Sequence, residues 1–292
     1  RRVLFRSDAT EQAVHKASAA TTILPKATLE VTNATQIICE GDQITEIVIT
    51  SNAPVTVDDL PDGLTFDETT KTISGVPVNG DHYMTVNAEN TCNLKQKLVH
   101  ILVNEKPIVE IITTPVCEGG NAELIATSGF ASYKWYYEGN ELSGETSDRL
   151  ILENITYDQN GDEYKVKVVD GKKCANIAVK SLIVNQVPTV SDKSVTICSG
   201  SETGVLDLMA NIPSASYVWN VKGSPSETLS DYQLGGSGTT IPSQAVKTSA
   251  IDHIDTLTYE VTVDNVGCTA TYDYNIFVYP QPTLVATASP SV

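Results

Sequence analysis

Ile38-Cys39-Glu40-Gly41, Val116-Cys117-Glu118-Gly119 and Ile197-Cys198-Ser199-Gly200 are three copies of one opening, set 78 and 81 residues apart. Three endings match in the same way: Val103-Asn104-Glu105-Lys106-Pro107, Val184-Asn185-Gln186-Val187-Pro188 and Val278-Tyr279-Pro280-Gln281-Pro282, set 81 and 94 apart. Between opening and ending, Tyr83, Tyr164 and Tyr259 each begin an alternating run, and a second cysteine follows 9, 10 and 9 residues later at Cys92, Cys174 and Cys268. Landmarks that agree at both ends and inside define a repeat, and a period of this size is a complete two-sheet β domain rather than one turn of a solenoid.

The composition agrees with that class. Hydrophobic residues make up 41% of the 292 and charged residues 19%, enough apolar material for packed cores. Val, Ile and Thr dominate, and branched side chains pack well on a pleated surface but lose rotamer freedom in a helix. The formal charge of -17 repels phosphate backbones, so nucleic acid is a poor partner. No stretch approaches the roughly 20 apolar residues of a membrane helix, so no membrane insertion is expected in this fragment.

The second repeat reads most clearly. Asn121 to Thr127 alternates, Gly129 breaks the run, and Tyr133-Lys134-Trp135-Tyr136-Tyr137 then places Tyr133, Trp135 and Tyr137 on one face. Glu138-Gly139-Asn140 is a turn, Arg149 to Leu152 a short strand, Asp158 to Gly161 a polar turn, Glu163 to Val169 a strand, and Val179 to Val184 the last.

These landmarks divide the chain. Residues 26–106, 107–187 and 188–281 are three modules, and 282–292 begins a further one. Residues 1–25 comprise an opening, Arg1 to Ser7, that resembles translated read-through of a sequencing adapter, followed by Thr22-Ile23-Leu24-Pro25, which reads as the last strand of an upstream module. The fold expected is all-β: tandem immunoglobulin-like β-sandwiches in an extended, semi-stiff array, because linkers as short as Asn185 to Pro188 leave little slack.

Cys117, Gly119, Trp135, Gly161, Tyr164, Val166, Val168 and Cys174 carry a pattern that resembles the bacterial Ig-like modules of Bacteroidetes-type surface and secreted proteins. The third module, with Cys198, Tyr217, Trp219, Tyr259 and Cys268, resembles their PKD-like relatives, and its extra length, Ser224 to Ser243, reads as a mobile loop. In the first module, Leu60-Pro61-Asp62-Gly63-Leu64, Ile73-Ser74-Gly75-Val76-Pro77, Gly80 and Tyr83 resemble the signature of the Putative Ig or cadherin-like type. The resemblance implies exported, multidomain surface proteins and no particular ligand.

Trp135, Trp219, Tyr83, Tyr164 and Tyr259 are expected in the cores, and the six cysteines Cys39, Cys92, Cys117, Cys174, Cys198 and Cys268 in structural disulfides. One early and one late cysteine per repeat suggests pairing within modules: Cys39 with Cys92, Cys117 with Cys174, Cys198 with Cys268. Yet the two positions can fall at opposite poles of a sandwich, and a disulfide needs Cα atoms within about 7 Å. Crossed pairs, Cys39 with Cys174 and Cys117 with Cys268, therefore stay open, among fifteen possible pairings.

No catalytic constellation is read. The histidines at 15, 82, 100 and 253 form no H-E-x-x-H pair, there is no G-x-S-x-G elbow, and no cofactor motif or metal site is assigned. Asp58, Asp59, Asp62, Asp67 and Glu68 could offer oxygen to calcium, but carboxylates in a loop are more often solvated charge, and the D-x-D-x-D-G loop is missing. Tyr136 alone of the aromatic strand faces outward, a weak platform for a sugar ring. The expectation is a non-catalytic spacer or stalk of a cell-surface or secreted adhesin-like protein, whose partners are the neighbouring modules of its own chain. The alternatives are modules that bind a surface glycan or protein through loops at the module poles, or accessory modules of a secreted peptidase or glycosidase.

Overall fold

In each repeat a short strand runs parallel to the last strand of its own sandwich: Thr35–Cys39 beside Leu94–Asn104, Val116–Cys117 beside Val184–Asn185, and Lys193–Cys198 beside Cys268–Tyr279. The computed structural model describes residues 25–282, and the expectations for residues 1–24 and 283–292 lie outside them. The chain divides into two compact units, with the boundary between Lys106 and Pro107.

The first unit is a two-sheet sandwich. Leu29–Val31, Ile47–Ser51, Thr72–Gly75 and Leu64–Asp67 form one sheet; Thr35–Cys39, Leu94–Asn104, Gly80–Glu89 and Val55–Asp58 form the other. Ile47, Ile73, Met84, Val86, Val99 and Ile101 are fully buried between them, each worth roughly 1.5–3 kcal/mol of transfer free energy. Tyr83 is not among them. It is 51% exposed, because Met84, Val86 and Ala88 face the core instead. Side chains alternate along a strand, so a one-residue change of phase turns the whole set outward.

The second unit holds two cores. Around the first, Arg149–Leu152, Ala122–Ala126 and Ile111–Ile112 face Asn140–Glu141, Ser132–Tyr137, Glu163–Val169 and Ala175–Ser181. Trp135 is fully buried at its centre, with its Nε1 donating to the Ser147 carbonyl at 3.0 Å, and Tyr164 is buried beside it. Around the second core, Lys193–Cys198, Cys268–Tyr279, Asp255–Asn265, Ser216–Val221 and Gly235–Ser237 form a five-stranded sheet. Trp219 and Tyr259 meet there edge to face at 5.2 Å, both buried.

Ser224 to Ser243 is not loop throughout. It contains Leu229–Ser230, Gly235–Ser237 and Thr240–Ile241, and it buries Leu229 and Ile241. Gly236 serves packing: it pairs with Trp219 and lets the strand pass directly over the indole, a use of glycine where backbone must approach a large ring closely.

Candidate functional site

The repeated Cys-x-Gly opening is one turn built three times. The amide after each early cysteine donates to the last strand, Glu40 to Asn104, Glu118 to Asn185 and Ser199 to Tyr279, at 2.8, 2.9 and 2.8 Å. Each cysteine carbonyl accepts from the amide three residues on, at Asp42, Gly120 and Ser201, all at 2.9 Å. Gly41, Gly119 and Gly200 take φ of 75°, 80° and 81°, the left-handed third position of a type II turn, which favours glycine.

This turn fixes the cysteines. Parallel register sets Cys39 opposite Asn104, Cys117 opposite Asn185 and Cys198 opposite Tyr279, all at the end of the last strand. The late cysteines Cys92, Cys174 and Cys268 sit where that strand starts. Ten or so residues of extended chain, roughly 33 Å, separate early from late cysteine in each repeat. Pairing within modules is therefore ruled out, and the structure shows the crossed bond: Cys117 is joined to Cys268 with Cα atoms 5.5 Å apart. Cys198, not bonded to Cys268, is an exposed thiol.

The bond welds the end of the second sandwich to the tip of the last hairpin of the third. Cys268 is buried, and Asn265 pairs with it across the two-residue turn Val266-Gly267. Both turn residues have positive φ, 53° and 86°, as a two-residue hairpin with the twist of its strands requires. Two amides tie the same place. Asn185 Nδ2 donates to the Val266 carbonyl at 3.4 Å, and Asn265 Nδ2 donates to the Gln186 carbonyl at 2.8 Å. Between the sandwiches a cavity of about 320 Å³ is lined by Asn160, Ile183, Asn185, Ile212, Ser214 and Asn265 among others. Tyr157 is the one titratable side chain in its lining.

The other candidate residues lie elsewhere. Asp67 caps its own turn, accepting from the Thr69 and Thr70 amides at 2.7 and 3.1 Å, and these bonds hold its carboxyl below the ordinary range. Asp58 accepts from Asn87 Nδ2 at 2.7 Å. Among the described residues no group of three or more His, Cys, Asp or Glu could hold a metal, and no helix is long and apolar enough to cross a membrane. Tyr136 is half-buried, while Tyr137 stacks on Tyr164 at 5.0 Å and donates to Asp162 at 2.8 Å, which pushes its phenol up to about 12.

One surface cluster escaped the sequence. Tyr83 stacks flat on His100 at 4.4 Å, and His100 Nε2 lies 2.5 Å from Asp81 Oδ1. The signal was present: Tyr83, Thr85 and Asn87 alternate with Met84, Val86 and Ala88, and the apolar set marks the inward face.

The comparisons with known proteins bear on the fold. A family model described as "Putative Ig domain" matches residues 12–104, the part of the chain that includes the first sandwich. No curated protein matches the chain. Among solved structures, a titin I-band fragment, I67-I69, is 14% identical and covers 89% of this chain and 100% of its own, with a TM-score of 0.42. An ICAM-5 D1-D4 ectodomain fragment is 13% identical over 91% and 80%, with a TM-score of 0.37. The N-terminal four Ig domains of Dscam1 isoform 1.9 are 12% identical over 88% and 79%, with a TM-score of 0.27. Scores this low add no argument to the sheet order already described; the chain is an all-β array of tandem Ig-like sandwiches.

Proposed function

We propose that this chain is a spacer or stalk of a cell-surface or secreted adhesin-like protein, made of Ig-like sandwiches spanning 26–106, 107–187 and 188–281. The observation that carries the reading is the Cys117–Cys268 bond with its two flanking Asn amides. Disulfides persist in oxidising compartments, which supports an exported location. A bond between sandwiches removes the hinge that short linkers alone would leave, and stiffness is what a spacer needs. The Bacteroidetes-type and PKD-like assignments rest on the sequence pattern alone.

The test is a pair of spin labels, one on the exposed face of the second sandwich and one on the third. The distance distribution should be narrow in the oxidised chain and broaden in the Cys117→Ser/Cys268→Ser variant. A distribution already broad with the bond intact would remove the spacer reading. The Tyr83–His100 ring pair favours a second reading, a module that binds a glycan or protein. Replacing Tyr83 by Ala would abolish binding to cells or glycan arrays in that case and leave the label distances unchanged.

A further inference from the structure

The far pole of the third sandwich repeats the pole of the second that the third sandwich occupies. Cys198 has the same parallel register, the same turn and the same left-handed glycine as Cys117. Its strand neighbour Tyr279 is 44% exposed where Asn185 holds the Val266 carbonyl. Beside Cys198 a cavity of about 410 Å³ opens, lined by Ser199, Gly200, Lys247, Ser249, Ile251 and Gln281 among others. Ile251 is 78% exposed at this edge. At the second sandwich a hollow at the same pole, lined by Tyr157, Asn160, Ile183 and Asn185 among others, is shared with Ile212, Ser214 and Asn265 of the sandwich that follows.

We propose that this pole docks the hairpin tip of a further Ig-like sandwich, and that Cys198 forms a disulfide with the cysteine on that tip. The occupant is a domain of the same chemistry as the second and third sandwiches: a short turn after the next-to-last long strand that leads directly to a cysteine. Three features at the pole match those that the second sandwich uses: register, turn and cysteine position. One differs. Tyr279 stands where Asn185 donates to the Val266 carbonyl, so that amide clamp would be absent at this junction, while Pro280 keeps the main-chain carbonyl that Gln186 offers to Asn265.

The bond forms by oxidation of two thiols. Cys198 and the hairpin cysteine lose two protons and two electrons as the S–S bond closes, and a small-molecule or enzyme disulfide takes both electrons and becomes two thiols. The inference extends the stalk reading to the next junction; its test reads a bond rather than stiffness, so either can fail alone.

The experiment places a second copy of residues 189–282 directly after Pro282 of the chain, and refolds the protein in a glutathione redox buffer whose oxidised form supplies the electron sink. A parallel fusion carries residues 108–188 there instead, offering the Cys174 hairpin. Non-reducing proteolysis and mass spectrometry should find Cys198 joined to the appended copy of Cys268, or of Cys174, while Cys117–Cys268 persists in the parent. Cys198→Ser should leave the appended cysteine open to alkylation. The proposal fails if Cys198 is alkylated while the appended sandwich shows its own cooperative melting, or if Cys198 joins the appended early cysteine. It fails equally if neither sandwich folds behind Pro282, since the pole would then not accept one.

Discussion

Gly236 lies face-on against Trp219: a Cβ built on it would stand 2.5 Å from the indole Cζ2. The two residues are register partners on adjacent strands, so neither backbone can retreat without breaking the ladder. Gly236→Ala should therefore overpack the third core and cost roughly 1–3 kcal/mol. Chemical denaturation of the variant checks this, and a midpoint equal to the parent's would show that the strand does not cover the ring.

Trp135 and Trp219 anchor their cores, and Trp135→Ala should cost roughly 3–5 kcal/mol through lost transfer energy and a residual cavity. Its Nε1 bond to Ser147 would be lost with it. Tyr136→Ala, on the opposite face of the same strand, should be far milder. Thermal melts of the two variants side by side give the comparison, and equal losses would contradict the strand's orientation.

Val266 takes a φ of 53° although it is β-branched, and its side chain is 78% exposed. The left-handed region costs a branched residue roughly 1–2 kcal/mol, while a two-residue hairpin favours Asn followed by Gly. Val266→Asn should therefore raise stability by about 1 kcal/mol, with no packing lost to offset it. A lowered melting temperature would mean that this valine makes contacts the hairpin needs.

Asp255 is buried, which by itself would raise its carboxyl, but bonds from the Thr228 and Thr248 hydroxyls and from Ser226, with the charge of His253, outweigh this and hold it below the ordinary range. A depressed folded value means stability that is present above the ordinary carboxylate range and lost as pH falls through it. His253, raised by its bond to Asp252, acts the other way, contributing at low pH and fading as pH rises. Acidification from about pH 7 to below about 4 should thus lower amide-exchange protection, relative to the intrinsic rate at each pH, in residues 226–250 ahead of the rest of the third sandwich. Asp255→Ala should show fast exchange there at both pH values, and a uniform response along the sandwich would contradict the clasp.

The repeat, the sandwich class and the two tryptophans were legible because each leaves a local mark: spaced landmarks, alternation, an aromatic at a strand centre. Tyr83 was misplaced by reading a shared landmark, Tyr, over the phase of its own strand. The glycines of Ser224 to Ser243 suggested mobility because glycine has two uses, freedom and close approach, and only the position of Trp219 tells them apart. The cysteine pairing was hidden for a deeper reason. It depends on a parallel strand pairing between residues 65 to 81 apart, which leaves no periodic signature, and that pairing alone puts the early and late cysteines at opposite poles.

The account turns on the bond between sandwiches, and a non-reducing proteolytic map of the oxidised chain, read against the same digest after reduction, tests it most directly. A peptide pair joining Cys117 to Cys268 is the predicted result. A pair joining Cys117 to Cys174 would contradict the parallel register, the clamp and the spacer reading together.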